Sequence, residues 1–382
     1  MRLRISIFYL IFYIGLGVYQ PFMSLFLNQR GFDGSEIGLI LSVGSLTGIL
    51  AQPIFGLLSD AARDYRTILK VLLLLSAIVV MGFFYSTSFV FMVLITIIFS
   101  FINTPIGPIT DSIAVEKGHT YGFTFGQVRL WGAFGFALIS FIAGYVFSVT
   151  GFQYSFIVYA IVALILVFLV FTFPKFEQPS RPDVLGREVL TKLFSNWRFD
   201  LFVFIGLVIL STVTMNFSYL PIYFQKLNYP INLVGWNFTI AAVVEIPLFW
   251  FSSIVIRRIG LFQMLAIGTL AYAIKYTLMG FAPPVGVVLG LQALDGIAFA
   301  FYMSSAVEIV NLMAPAHGKA TAQTVYTAAG GIAGIVGNMV GGWIIEHQGP
   351  QFLFWLMGGI GFGAVLLITA FPKKREYRLK GL

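Results

Sequence analysis

Cysteine is absent from this chain and histidine nearly so: the 382 residues hold no Cys and three His. Disulfides and thiolate metal sites are therefore excluded. His119, His317 and His347 stand far apart, each at the end of a predicted helix. No HExxH, P-loop or GxSxG pattern occurs, so zinc and nucleotide chemistry have no ligands to work with and no cofactor is implied. Charge is also scarce. Asp, Glu, Lys and Arg make up 10% of the residues, against roughly 25% in soluble domains. Apolar side chains take their place, with 59% hydrophobic residues, 17% aromatic and 41 Phe. The net charge of +8 does not point to nucleic acid, because the basic residues are scattered singly through short polar stretches. That distribution fits membrane orientation.

Apolar runs of helical spanning length, about 20 residues, fall near 5–27, 36–58, 67–86, 89–115, 121–147, 154–173, 199–224, 232–256, 262–281, 284–312, 319–346 and 350–371. The first follows Arg2 and Arg4 and is longer than a signal h-region of ~7–15 residues, so it is expected to be a retained first span. With the N-terminus inside, nineteen Lys and Arg fall in inner loops and tails, and only Arg30 and Lys226 in outer ones. Such an asymmetry supports both the count of twelve and cytoplasmic termini, in the cell membrane. The longest polar stretch, 174–198, carries no catalytic cluster and reads as an inner linker. It divides the chain into six-helix bundles at 1–173 and 199–382, the second with a basic cytoplasmic tail. The halves are weakly alike: FGQVRLWGAFGF (125–136) matches TAQTVYTAAGGI (321–332) at an offset of 196 residues, which puts Asp111 beside Glu308.

A few polar residues interrupt the apolar runs. Asp111 lies about six residues before the polar turn that follows Glu116-Lys117, and Arg129 about eight after it. At ~1.5 Å per residue both sit roughly 9–12 Å inside the same face. Inserting each charge costs on the order of 2.5–3.5 kcal/mol, so the two are expected to pair or to line a wet cavity. They read as the pair that grips a substrate, the bland alternative being an ion pair that locks two helices. Pro105 and Pro108 break the helix just ahead of Asp111, which a spanning helix tolerates where a cavity or neighbour satisfies the freed carbonyls. Tyr19, Gln20, Asn103, Gln127, Asn216, Tyr219 and Tyr326 are further candidate cavity liners. In the second half Glu245, Lys275 and Asp295 each fall near the middle of a predicted span. Two acids and one base in a poorly solvated place are net negative, and desolvation and like charge both disfavour the second anion. One proton could be held there, or the trio could be a static salt-bridge cluster. Glu308 could be a second protonation site or could snorkel to the inner surface. Gly330, Gly334, Gly337 and Gly341, like Gly132 and Gly135, have the spacing of close helix crossings.

The stretch GLLSDAARDYR (56–66), after the second span, resembles the inter-helix signature of the major facilitator superfamily through Gly56, Ser59, Asp60 and Arg66. That resemblance implies a gate: Gly56 allows close helix approach, Asp60 pairs with a cation or caps a helix, and Arg66 supplies the downstream base. YQPFMSLFL (19–27), QPIFGLLSD (52–60), FGQVRLWGAFGF (125–136) and GNMVGGWIIEHQG (337–349) resemble the lactose permease and phenylpropionate permease branch, over essentially the whole chain. This branch consists of proton-coupled symporters. Carried across, its sugar-binding acid–arginine pair falls on Asp111 and Arg129, and its sugar-stacking aromatic on Phe136. Where lactose permease has its proton-carrying glutamate this chain has Ala298, its nearby His becomes Asp295, and uncharged Thr214 and Phe217 replace the aspartates of the seventh helix.

The expected fold is an all-α membrane protein, a major facilitator bundle of twelve transmembrane helices in two pseudo-symmetric halves. The expected activity is symport of a small polar solute (a sugar, nucleoside or small organic acid) with a proton, by alternating access. Substrate and protons are then the partners, with lipid around and no nucleic acid, and by resemblance the chain works as a monomer. A proton-driven efflux antiporter of the same fold is the nearest alternative. An integral-membrane enzyme or lipid-handling protein would need a nucleophile or metal cluster that the sequence lacks.

Overall fold

An apolar helix is the one regular element that satisfies its own backbone in lipid, and helices dominate here. The computed structural model describes residues 1–61, 65–173, 187–315 and 318–371. Among them, twelve helices are long and apolar enough to cross a membrane. These are α1 (Arg2–Gln29), α2 (Gly34–Gly56), α3 (Tyr65–Tyr85), α4 (Phe89–Gly118), α5 (Phe125–Thr150) and α6 (Tyr154–Phe171), then α7 (Trp197–Lys226), α8 (Leu233–Ile259), α9 (Leu261–Gly280), α10 (Val285–Met313), α11 (Thr321–His347) and α12 (Gly349–Thr369). Phe168, Trp250 and Leu366 are each at least 70% exposed, which water would penalise and lipid does not. No strand occurs among the described residues.

Proline shapes the path locally. The first span tightens to a 3-10 turn at Gln20–Phe22, where Pro21 has no N–H to give. The fourth breaks between Asn103 and Ile106 at Pro105, upstream of Asp111. The turn between α4 and α5 differs from expectation. The helix runs on through Glu116 and Lys117 to Tyr121 and stops at Gly122, which has φ 69°, a left-handed cap that glycine takes without strain. The next helix starts at Phe125 behind a capping box made by Thr124 and Gln127. Asp111 is therefore further from the turn than the sequence suggests, and Arg129 closer to it.

Contacts divide the chain into two compact units. The first comprises Met1–Arg181 and also takes in Pro230–Thr239; the second comprises Pro182–Tyr229 and Ile240–Leu382. In the first unit a buried polar chain ties four helices together. Asn103 donates to the Tyr19 hydroxyl (3.3 Å), and the Tyr159 hydroxyl meets both Asn103 Oδ1 (2.5 Å) and Ser76 Oγ (3.3 Å). Bonds of this kind between spanning helices are worth about 0.6–2 kcal/mol each. In the second unit α7 and α11 cross closely at Gly337, where an added Cβ would lie 2.6 Å from the Ser211 carbonyl oxygen. The Tyr219 hydroxyl donates to Asn338 O at 2.5 Å and the Ser218 hydroxyl to Asn338 Oδ1 at 2.7 Å, which fixes that crossing.

Candidate functional site

Asp111 and Arg129 lie in the same unit but form no direct ion pair. The Tyr9 hydroxyl of α1 donates to Asp111 Oδ1 at 2.6 Å. Arg129 of α5 lays its guanidinium over the ring of Tyr13, with Cζ 4.0 Å from the centroid, a cation–π contact. Tyr9 and Tyr13 are one helical turn apart, and their rings stack at 6.3 Å with 11° between planes. Acid, tyrosine, tyrosine and arginine thus form one continuous cluster from three helices. Phe125 closes on Tyr9 edge-on at 6.3 Å and Phe12 on Tyr13 at 5.4 Å. The field of Arg129 still reaches Asp111, so the cluster is charge-balanced without contact.

The packing that sets this geometry can be traced to one glycine. An added Cβ at Gly132, one turn along α5 from Arg129, would stand 2.6 Å from the Tyr13 ring and 3.0 Å from Arg129 Nη1. Hydrogen-bonding capacity is left over on both charged groups. Among the described residues, Arg129 makes no hydrogen bond through its N–H groups, and Asp111 uses one carboxylate oxygen. A guanidinium fork and a carboxylate oxygen that remain available within one unit can grip a group that both donates and accepts.

Phe136, two turns along α5 from Arg129, is half-buried and meets Phe238 edge-on at 5.9 Å. Tyr19 and Asn103 lie in the buried chain already described, and Gln20 opens the 3-10 turn beside them. The Gln127 side chain accepts from the Thr124 backbone N–H (3.4 Å) as part of the cap, so it is engaged at the helix start. A separate cavity of about 90 Å³ lies within the first unit, lined by Gln52, Gly56, Tyr65, Pro105, Pro108, Ile109 and Ser112.

Of the expected gate residues, Gly56 has no atom of the described residues within 4 Å of where its Cβ would stand, so the close helix approach is not seen among them. The Asp60 side chain lies outside the described residues. Arg66 donates to the Phe173 carbonyl at 2.8 Å, Arg4 donates to the Thr172 carbonyl, and Lys70 Nζ stands 4.3 Å over the Phe171 ring. Three cations therefore converge on the C-terminus of α6, where the helix dipole favours positive charge.

The second unit holds the other cluster. Lys275 of α9 is wholly buried and donates to Asp295 Oδ1 of α10 at 2.6 Å, while 18% of the Asp295 side chain is exposed. A second acceptor, Asn216 Oδ1 of α7, lies 3.3 Å from the same ammonium. Tyr272 and Tyr276 stack beside it at 5.6 Å, and the Tyr272 hydroxyl lies in the fields of Asp295, Glu245 and Tyr302. Glu245 is half-buried on α8. Lys275 and Asp295 are thus brought together, with Glu245 linked to them electrostatically through Tyr272. Glu308 is exposed near the end of α10. Tyr219 and Tyr326 are buried, Tyr326 sharing a 2.5 Å hydrogen bond with the Tyr302 hydroxyl and stacking on Phe202 at 5.8 Å. Among the described residues, no group of three or more His, Cys, Asp or Glu could hold a metal ion.

Tyr9 and Tyr13 were not singled out from the sequence. Their one signal is an i, i+4 pair of tyrosines in a stretch, 7–14, otherwise made of Phe, Leu and Ile.

Twelve apolar spans, with charged side chains gathered into a cluster inside each unit, are the architecture of a multi-pass membrane protein. Comparison with known proteins agrees: the family model described as "MFS_1 like family" matches residues 2–356, and the chain belongs to that family, within the major facilitator superfamily. The maltose permease of Geobacillus stearothermophilus is 26% identical over 97% of this chain and 94% of its own length. The probable 3-phenylpropionic acid transporter of Escherichia coli strain K12 is 25% identical over 94% of this chain and 95% of its own. Among solved structures, the nucleoside transporter NupG superposes with a TM-score of 0.85 at 20% identity, over 98% of this chain and 99% of that one. At that identity the superposition speaks for the fold. The protein is a permease of this fold and not an enzyme.

Proposed function

We propose that the chain is a solute:proton symporter of the cell membrane that carries a small neutral polyhydroxylated solute, of the sugar or nucleoside class, by alternating access. It acts as a monomer with both termini in the cytoplasm. The single observation that carries the substrate reading is the Asp111–Tyr9–Tyr13–Arg129 cluster, whose two charges remain apart and keep hydrogen-bonding capacity. A hydroxylated solute can accept from Arg129 and donate to Asp111 at once. A carboxylate could use Arg129 but would be repelled by Asp111. The similarity to maltose permease supports this choice; the phenylpropionic acid transporter is the precedent for an acid. Phe136 is assigned to stacking on the solute.

Proton coupling is assigned to the second unit. Asp295 is the proton acceptor because it combines a buried cationic partner with partial exposure of its own. Deprotonated, it locks α9 to α10 through Lys275; protonated, it releases that lock, so the two forms differ in preferred conformation. Glu245 supplies the second negative charge. The inner-side residues Gly56, Asp60 and Arg66 are assigned to the gate. Arg66 supports this by tying the start of α3 to the end of α6.

Reconstituted vesicles test the reading. Labelled disaccharide or nucleoside should accumulate when an inward proton gradient is imposed, and a protonophore should abolish accumulation. Accumulation driven by an outward proton gradient instead would identify an antiporter.

A further inference from the structure

Lys275 is a fully buried ammonium with two acceptors of unequal kind, a carboxylate at 2.6 Å and a neutral amide oxygen at 3.3 Å from a third helix. An unpaired ammonium in such a place is strongly disfavoured. As soon as Asp295 takes a proton, its carboxyl ceases to be an anionic partner and keeps only a neutral carbonyl acceptor, so the ammonium leans more on the second acceptor seen on it among the described residues, Asn216 Oδ1. We propose that Asn216 is a positioning residue for proton coupling: it holds Lys275 while Asp295 is protonated and so makes the protonated state accessible during the transport cycle. The inference rests on the assignment of Asp295 as the proton acceptor. It also gives Asn216 a role different from the substrate contact expected from its place in an apolar span.

The other groups facing the pair do not replace it. On α9 itself, Tyr272 and Tyr276 flank the ammonium, the Tyr276 ring centroid 5.5 Å from Nζ. From α8, Glu245 acts on Tyr272, and from α10, Tyr302 does so as well. The Asn216 side chain is itself buried, at 6% exposure, so water competes poorly for its carbonyl. The neutral amide suits this role because it stabilises the ammonium without adding a charge that would hold Lys275 permanently away from Asp295.

The test is uptake into vesicles by wild type, Asn216→Leu, Asn216→Gln and Asp295→Asn, with one transported sugar or nucleoside, measured as proton-driven accumulation and as solute exchange at zero gradient. Loss of one hydrogen bond to a charged group should lower the ratio of accumulation to exchange in Asn216→Leu about tenfold. The pH dependence of accumulation should change as well, which loss of a purely structural contact would not cause. Asn216→Gln, which keeps a side-chain carbonyl, should recover much of the ratio. An Asn216→Leu protein that folds, as judged by size-exclusion profile, and keeps the wild-type ratio and pH profile would overturn the assignment of Asn216 alone, provided that Asp295→Asn has lost driven accumulation. If Asp295→Asn retains it, both the proton site and the role of Asn216 fall. A raised KM with an unaltered pH profile in Asn216→Leu would make it a solute contact and likewise overturn the inference.

Discussion

Asp111 and Arg129 share an electrostatic cluster without touching: Tyr9 takes the carboxylate at 2.6 Å and Tyr13 lies 4.0 Å beneath the guanidinium. A direct ion pair would turn part of the donors and acceptors of the two side chains toward each other and join α4 to α5. Two stacked phenol rings hold the charges in place and leave part of each available. On the proposed function, that availability is what a solute would use.

The Tyr9 hydroxyl should matter to solute binding more than to folding. Tyr9→Phe keeps the ring stack and removes one hydrogen bond to a charged group, worth about 1.5–3 kcal/mol. The expected result is a rise in apparent KM of about tenfold or more, with the unfolding midpoint in detergent little changed. Uptake kinetics and a thermal scan of the same preparation check it.

Gly132 should be intolerant of any side chain. Its Cβ would overlap Tyr13 at 2.6 Å and crowd Arg129, so Gly132→Ala must shift the stack that presents the guanidinium. Gly126, on the same helix, has no atom of the described residues within 4 Å of an added Cβ. Gly126→Ala should leave solute-induced thermal stabilisation intact, whereas Gly132→Ala should abolish or sharply reduce it.

Lys275 and Asp295 should behave as a buried pair in stability as well as in transport. Removing one partner leaves an uncompensated charge and costs about 3–5 kcal/mol. Asp295→Leu alone should lower the unfolding midpoint markedly. The double variant Lys275→Met/Asp295→Leu should regain most of the loss, because an apolar pair of similar volume removes both desolvation costs. Thermal unfolding of the three proteins in one detergent checks this, and the double variant should still lack proton-driven accumulation.

The spans were legible because lipid imposes a simple rule, an apolar run of fixed length, and the sequence obeys it twelve times. Lys275 and Asp295 were legible for the converse reason: a lone charge inside such a run needs a partner. Tyr9 and Tyr13 were not, since tyrosine is common in spanning helices and only the rotation of α1 against its neighbours brings these two to Asp111 and Arg129. The start of α5 was misplaced because Tyr121 to Phe125 reads as nearly apolar. Gly122 and the Thr124–Gln127 cap, small polar signals inside that stretch, decide the boundary. Gly56 matches a familiar pattern, but the pattern does not say which neighbour the glycine approaches, and among the described residues none comes within 4 Å of an added Cβ.

The most direct measurement is ligand-induced thermal stabilisation of the purified protein across a panel of sugars, nucleosides and aromatic acids, for wild type, Asp111→Asn and Arg129→Lys. The account predicts stabilisation of wild type by at least one neutral hydroxylated solute and its loss in both variants. Stabilisation that persists unchanged in both, or that wild type shows only with the acids, would contradict it.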